Sequence, residues 1–302
     1  MVKLNFNKEL VFDYGVTSQV TSKVRRLVAN NPGPFTLHGT GTYIVGDEDV
    51  AIIDPGPKWD SHLRALLEAT EESDIRAILV THAHRDHASG AVELSERTGA
   101  PIYAASVRPP VVDAIGNSVV LEEGFDFDFK PTIFLEEGDK VSGNGWTLKV
   151  LHTPGHTMDH LCFELEEENL LFTGDHVMGW ATTVVSPPEG NMGDYMRSLN
   201  RLMLCEHALY IPTHGPEIQN PRCHVQGLIE HRLERERQVL ECLGEGMCGI
   251  EDMVRKMYLD VPEVLHPAAA RSVLSHLIYL CEQEKVVCSG DKYEGGNYHL
   301  IG

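Results

Sequence analysis

Residues 81–90 read THAHRDHASG, which puts His82, His84, Asp86 and His87 within six positions. Imidazole nitrogen and carboxylate oxygen are good ligands for zinc, iron or manganese, so the run predicts a metal site without naming the metal. Residues 77–80 in front of it are a short apolar run that reads as a buried strand. Residues 88–98 behind it have helical spacing and stop at Gly99. The run therefore sits where a strand end turns into a helix, the place where α/β proteins hold ligands.

Three further ligand types follow apolar, strand-like runs: His156 in HTPGHT, Asp175 in LLFTGDH and His214 in YIPTHGP. Residues 146–151 alternate into the first, residues 161–165 and 170–173 flank an acidic turn and form a hairpin that delivers the second, and residues 208–212 deliver the third after a helix around 194–205. Upstream, residues 42–53 read as a hairpin closing on Asp54-Pro55-Gly56, and a helix follows over 60–72. Asp54 reads as a turn device whose carboxylate orients one of the histidines from behind. Residues 1–15 alternate as a strand would, and residues 105–137 read as an insertion on the active-site side.

After His224 the pattern changes. Residues 225–243 form a charged helix, and residues 250–302 read helix, helix and terminal hairpin, the layout of a winged helix. The expected organisation is an α+β catalytic domain over 1–224, a helical linker over 225–249 and a winged-helix-like domain over 250–302.

Seven ligands are enough for two divalent cations, with zinc as the default and manganese or iron fitting the same groups. His82 and His84 face one metal from an extended turn, and Asp86 and His87 point beside it. His156 completes the first site and His214 the second, which leaves Asp175 able to bridge. Metals about 3.5 to 4 Å apart would lower the pKa of a shared water to about 7 and make hydroxide the nucleophile. Asp86 is the candidate catalytic residue, holding that hydroxide or passing its proton to the leaving group. His176, beside Asp175, and Thr182 and Thr183, in the loop that follows, are candidate substrate contacts. His160 is a second histidine placed to line the pocket, and the remaining histidines read as surface or packing residues.

The HxHxDH run at 82–87, with His156, Asp175 and His214, resembles the metallo-β-lactamase superfamily over about residues 35–220. That resemblance implies an αββα sandwich with metals at one edge. It assigns His82, His84 and His156 to one metal and Asp86, His87 and His214 to the other, with Asp175 shared. HRLERERQVL and the tail resemble the lactamase-B-like branch with an appended winged helix, which includes a single-strand endoribonuclease. Quorum-signal lactonases carry tyrosine three positions after the bridging Asp, where this chain has Met178. Flavodiiron reductases replace the second histidine of the run by Glu, whereas His84 is intact. Glyoxalase II ends in a different helical lobe. Fold does not fix substrate.

Composition narrows the choice. The 302 residues are 42% hydrophobic and 23% charged, an ordinary globular balance, and no apolar run reaches the length of a membrane span. The start of the chain lacks a signal-peptide apolar block, and seven scattered cysteines without a CxxC pair suit reduced thiols, so a cytoplasmic location is expected. With 25 basic against 45 acidic side chains the net charge is −20, which repels polyanions. Residues 246–302 carry five Lys or Arg against eight Asp or Glu, and the second helix of that lobe carries only Arg271. Phosphate contacts that dominate nucleic-acid affinity are therefore scarce. The favoured expectation is a binuclear hydrolase of a small ester, thioester, lactone or amide. Single-strand RNA cleavage is the alternative, and a DNA-binding regulator ranks last. The small lobe is expected to serve as a packing or dimerisation module, which makes a homodimer an expectation too.

Overall fold

The computed structural model of the chain describes residues 4–106, 124–259, 261–291 and 296–301. One sheet of seven strands is built from β1 (Ser18–Gln19), β2 (Val24–Val28), β3 (Gly41–Gly46), β4 (Asp49–Ile53), then helix α1 (Asp60–Ala69) and β5 (Asp74–Leu79). Two helices, α2 (Arg85–Ala88) and α3 (Ala91–Thr98), lead to its last strands, β6 (Ile102–Ala105) and β7 (Ile133–Leu135). The strands lie in chain order, antiparallel from β1 to β4 and parallel from β4 to β7.

The second sheet has five strands: β8 (Lys140–Gly143), β9 (Trp146–His152), β10 (Leu161–Leu165), β11 (Leu170–Gly174) and, after α4 (Met192–Leu202), β12 (Leu209–Pro212). Its first four strands are antiparallel and β12 joins β11 in parallel.

The period-two side-chain pattern of a strand sorts each strand's residues between two cores. Tyr43, Val45, Ala51 and Ile53 meet Leu148, Val150, Phe163 and Phe172 between the sheets. The alternate residues Ile44, Val50, Ile52 and Ile78 face α1 and α3 through Leu63, Leu66 and Leu94. Leu151, Cys162, Leu171 and Tyr210 face outward from the second sheet onto α4. The order of layers is thus helix, sheet, sheet, helix, as the resemblance implied.

Helix α5 (Pro221–Gly244) starts earlier than the charged pattern suggested and serves two cores. Val225, Leu228 and Ile229 pack under the second sheet, while Val239, Cys242 and Leu243 pack with α6 (Ile250–Met257) and α7 (His266–Glu282). It is a wall common to both lobes rather than a spacer. The small lobe closes with the hairpin β13 (Val286–Ser289) and β14 (Asn297–Leu300), completing the winged helix.

Two expectations change. Residues 4–17 form no strand: they run over the surface, with the Asn7 amide bonded to the Gly179 carbonyl and Phe6 edge-on to His224. The helix expected over 88–98 is broken at Ser89 and Gly90, because the Gly90 amide donates to the Gly56 carbonyl at 2.9 Å. A Cβ at Gly90 would lie 3.0 Å from the carbonyl oxygens of both Pro55 and Gly56, so the two backbones meet there. Of the insertion expected over 105–137, residues 107–123 lie outside the described residues, and its return pairs Phe125 with His84 in an isolated bridge. Among the described residues no helix is long and apolar enough to cross a membrane.

Candidate metal centre

Each candidate ligand follows a strand, and local contacts fix how it emerges. Beyond β5, the Thr81 carbonyl accepts from the Leu161 amide at 2.7 Å and the Ala83 carbonyl accepts from the Asp126 amide at 2.7 Å, which ties the His-rich turn to β10 of the second sheet and to the loop before β7. The Ala83 amide donates to Asp159 Oδ2 at 2.9 Å, so the extended backbone between His82 and His84 is held from a third side. Asp86 and His87 occupy the single turn of α2. His156 follows Gly155, whose φ is 147° and where a Cβ would lie 2.4 Å from the Cα of Tyr195, so the loop passes against α4 only as glycine. Asp175 and His214 emerge from the adjacent strands β11 and β12.

All seven side chains are buried, and they converge. His82 Nε2 is 3.0 Å from His84 Nδ1, which is 3.3 Å from His156 Nε2. Beside them, Asp86 Oδ2 lies 3.4 Å from His87 Nε2 and 3.2 Å from His214 Nε2. One carboxylate oxygen of Asp175 faces both sets, at 3.6 Å from His87 Nε2, 3.4 Å from His214 Nε2 and 3.9 Å from His156 Nε2. The donor atoms fall into three overlapping groups, His82/His84/His156, His82/His87/Asp175 and Asp86/His87/His214, each within 4.8 Å of one another.

The outward nitrogen of every imidazole is engaged. His87 Nδ1 donates to Asp54 Oδ2 at 2.9 Å, His156 Nδ1 to the Val184 carbonyl at 2.7 Å, and His214 Nδ1 to the Gly39 carbonyl at 3.2 Å. His84 Nε2 lies 3.3 Å from Glu189 Oε2. The Thr81 hydroxyl donates to Asp54, which leaves its oxygen to accept from His82 Nδ1 at 3.0 Å. These bonds place the outer proton and turn an inner lone pair toward the common space, the tautomer that metal binding needs. Among the described residues, His87 Nε2 and Asp175 Oδ1 are buried without a hydrogen-bond partner. Lone pairs and carboxylate charge packed this closely fit divalent cations.

The same crowding sets the protonation of the side chains themselves. Burial and the neighbouring imidazoles hold His82 well below the usual histidine range. Burial alone would lower His214, but the Asp175 and Asp86 carboxylates reverse this and push it up to about 10. Burial would raise Asp86 and Asp175, yet their contacts with His87 and His214 hold both below the usual carboxylate range.

The expected substrate contacts are placed otherwise. His176 is fully buried, its ring packed 4.7 Å from Tyr195 and 5.7 Å from His160, because the turn after β11 sends it inward while Asp175 faces the ligands. Burial holds it down at about 3. The Thr183 hydroxyl donates back to the Asp175 and His176 carbonyls and closes that turn, so it is buried too. Thr182 is half-buried and does not line the cavity over the ligands. His160 is a support: its Nε2 accepts from the Asp175 amide at 3.1 Å, and it stacks on His82.

That cavity, about 320 Å³, has His84, Asp86, Asp175 and His214 on its floor, with residues 31–36 and Trp59 as walls. Sequence reasoning placed Asp54 behind a histidine, as found. It missed Thr81, Thr213, Asp159 and Glu189. The threonines carried a signal, since each directly precedes a candidate ligand histidine.

Comparison with known proteins agrees with this geometry. Residues 36–214 match the model of the metallo-beta-lactamase superfamily, and residues 250–295 match the beta-lactamase associated winged helix domain. A beta-lactamase-like protein 2 homolog of Caenorhabditis elegans is 32% identical over 274 residues, 87% of this chain and 86% of that protein. An atrochrysone carboxyl ACP thioesterase of Aspergillus chevalieri is 32% identical over 272 residues, 86% of this chain and 81% of that protein. A beta-lactamase domain protein from Burkholderia ambifaria has the same fold, with a TM-score of 0.78 at 21% identity over 97% of this chain and 96% of that one. With its buried His and Asp donors aligned at the strand ends, the chain belongs to the metallo-beta-lactamase superfamily and is a hydrolase of that superfamily with a C-terminal winged helix.

Proposed function

We propose that the protein is a binuclear, zinc-dependent thioesterase that hydrolyses a small acyl thioester. The observation that carries this reading is the cavity itself: its floor is the donor set, and its walls include Pro32, Pro34, Phe35 and Trp59. Such walls hold an acyl chain by apolar contact and leave the carbonyl over the floor. Among the described residues no Lys or Arg lines that cavity, and the chain carries a net charge of −20. Both features oppose a phosphodiester backbone. The thioesterase among the relatives, 32% identical, supports the same bond type.

His82, His84 and His156 would hold one cation and Asp86, His87 and His214 the other, with Asp175 between them. Bound there, the cations would supply Lewis-acid polarisation of the carbonyl and of water. The chain's own residues do the rest. Asp54, Thr81 and the Val184 and Gly39 carbonyls fix the imidazole orientations. Asp86 Oδ2, which accepts from Thr40 Oγ1 at 3.2 Å, lies on the cavity floor, where it would hold the attacking water by a hydrogen bond or pass its proton to the leaving group. Pro32, Pro34, Phe35 and Trp59 along the cavity would hold the acyl group for attack.

The test is an assay of zinc-loaded protein on acyl thioesters, lactones and single-stranded RNA, with His84→Ala as control. Thioester cleavage that disappears in the variant is the expected result. RNA cleavage that disappears in the variant, with thioesters untouched, would overturn the reading in favour of a nuclease.

A further inference from the structure

Among the described residues, two of the five candidate ligand imidazoles present their outward nitrogen to a carboxylate. His87 meets Asp54, which is fully buried within the catalytic sheets, and His84 meets Glu189, whose side chain remains one-third exposed on the loop before α4. That loop lies between the ligands and the small lobe. On the ligand side, the Asn191 amide donates to the Gly155 carbonyl at 2.9 Å, and a Cβ at Gly190 would lie 2.7 Å from the His156 carbonyl oxygen. On the other side it meets α7: Arg271 Nε donates to Ser186 Oγ at 2.9 Å, and Asn191 Nδ2 donates to Glu282 Oε1 at 3.2 Å. Arg271 and Glu282 are eleven residues apart, three turns of helix, so both project from one face.

Arg271 is the only Lys or Arg of α7 and is half-buried. Its guanidinium interacts electrostatically with Glu189, and Ser186 is its one hydrogen-bond partner among the described residues. Anchored by its 2.9 Å bond to Ser186, three positions before Glu189, this half-buried guanidinium ties down the loop that carries the carboxylate and brings positive charge to it, which favours the conformer in which the carboxylate stays near His84. The carboxylate in turn holds His84 by Nε2, with Nδ1 directed at His82 and His156.

We infer that Glu189 is a positioning residue for His84, and that Arg271, from the winged helix, keeps Glu189 in that position by anchoring its loop at Ser186. The inference rests on the reading that His84 binds a cation. It gives the small lobe a task in the metal centre that needs none of the basic surface it lacks. A carboxylate on the outer N–H of a ligand histidine fixes the ring and raises its basicity, and its loss weakens metal binding by about 10- to 100-fold.

The experiment is a zinc titration of the chelator-stripped full chain against a chromophoric competitor, for wild type, Glu189→Gln, Arg271→Ala and the double variant. Thermal unfolding of each metal-free protein checks that the fold is intact. Glu189→Gln is expected to weaken one of the two zinc sites by roughly tenfold and leave the other unchanged. Arg271→Ala is expected to weaken the same site by less, and to add nothing in the Glu189→Gln background, because it acts through that carboxylate. Wild-type affinities in Glu189→Gln, or additive losses in the double variant, would overturn the inference. A wild type that takes up a single zinc contradicts the binuclear reading alone. In that protein, a loss in Glu189→Gln still supports the positioning role and its absence still overturns it.

Discussion

Asp54 Oδ2 accepts a 2.9 Å hydrogen bond from His87 Nδ1 while the same carboxylate accepts from the Thr81 amide, the Thr81 hydroxyl and the Thr213 hydroxyl, each at 2.8 Å. One side chain at the end of β4 thus fixes His87 of α2 and the strand ends that carry His82 and His214. Its φ of 50° turns the chain sharply out of the strand, a conformation that Asn also tolerates.

Asp54→Asn therefore isolates the hydrogen bonding from the backbone. An amide cannot accept from all four donors, and a buried donor left unpaired costs about 1–3 kcal/mol, so the variant should lose on the order of 3 kcal/mol. Urea denaturation of the metal-free protein measures this. A loss under about 0.5 kcal/mol, the range of an ordinary surface substitution, would show that the network is not structural.

Chelator treatment should abolish hydrolysis and lower the melting temperature, with zinc restoring both. A ligand that binds only the folded state stabilises it by about 2.7 kcal/mol when present at about 100 times its Kd. Calorimetry with and without added zinc reads the shift directly. A melting temperature indifferent to zinc would count against cation binding at the buried donors.

His62 supplies a pH dependence away from the metal ligands. This α1 residue packs against the sheet, with Nε2 2.8 Å from Thr42 Oγ1, and burial holds it neutral, lowered from 6.5 to about 4. Because the folded value is below the unfolded one, its stabilisation is complete above 6.5 and declines as pH falls toward 4. The loss approaches about 3 kcal/mol at the acid end. His62→Gln should flatten the fall in urea midpoint across that window. An unchanged slope would show that His62 is not the group responsible.

Trp59 stands in the cavity wall 41% exposed, free to lie along a bound acyl chain. Trp59→Ala should raise KM for longer acyl thioesters by roughly tenfold, the equivalent of about 1.4 kcal/mol of apolar contact, with kcat nearly unchanged. Equal KM values for short and long chains in wild type and variant would remove Trp59 from the acyl site.

The convergence of the seven candidate ligands was legible because each follows a strand, and strand ends announce themselves by apolar runs. His82 to His87 lie in one turn, so their convergence needed no knowledge of distant contacts. What stayed hidden depends on pairing between remote segments. The alternation at the N-terminus implied a strand, but alternation makes a strand only where a neighbouring edge accepts it, and residues 4–17 meet helix and loop instead. His176 looked like a pocket residue because it adjoins Asp175. Consecutive side chains in that turn point opposite ways, and the Thr183 hydroxyl locks the arrangement. Glu189 is a single acid in a proline-rich loop, and only the approach of His84, 105 positions away in the chain, gives it meaning.

The most direct measurement is anomalous diffraction at the zinc edge from crystals of the zinc-loaded protein. Two peaks are predicted in each chain, one among His82, His84 and His156 and one among Asp86, His87 and His214, with Asp175 touching both. Crystals with no peak at these side chains, or with zinc bound only elsewhere on the surface, would contradict the account.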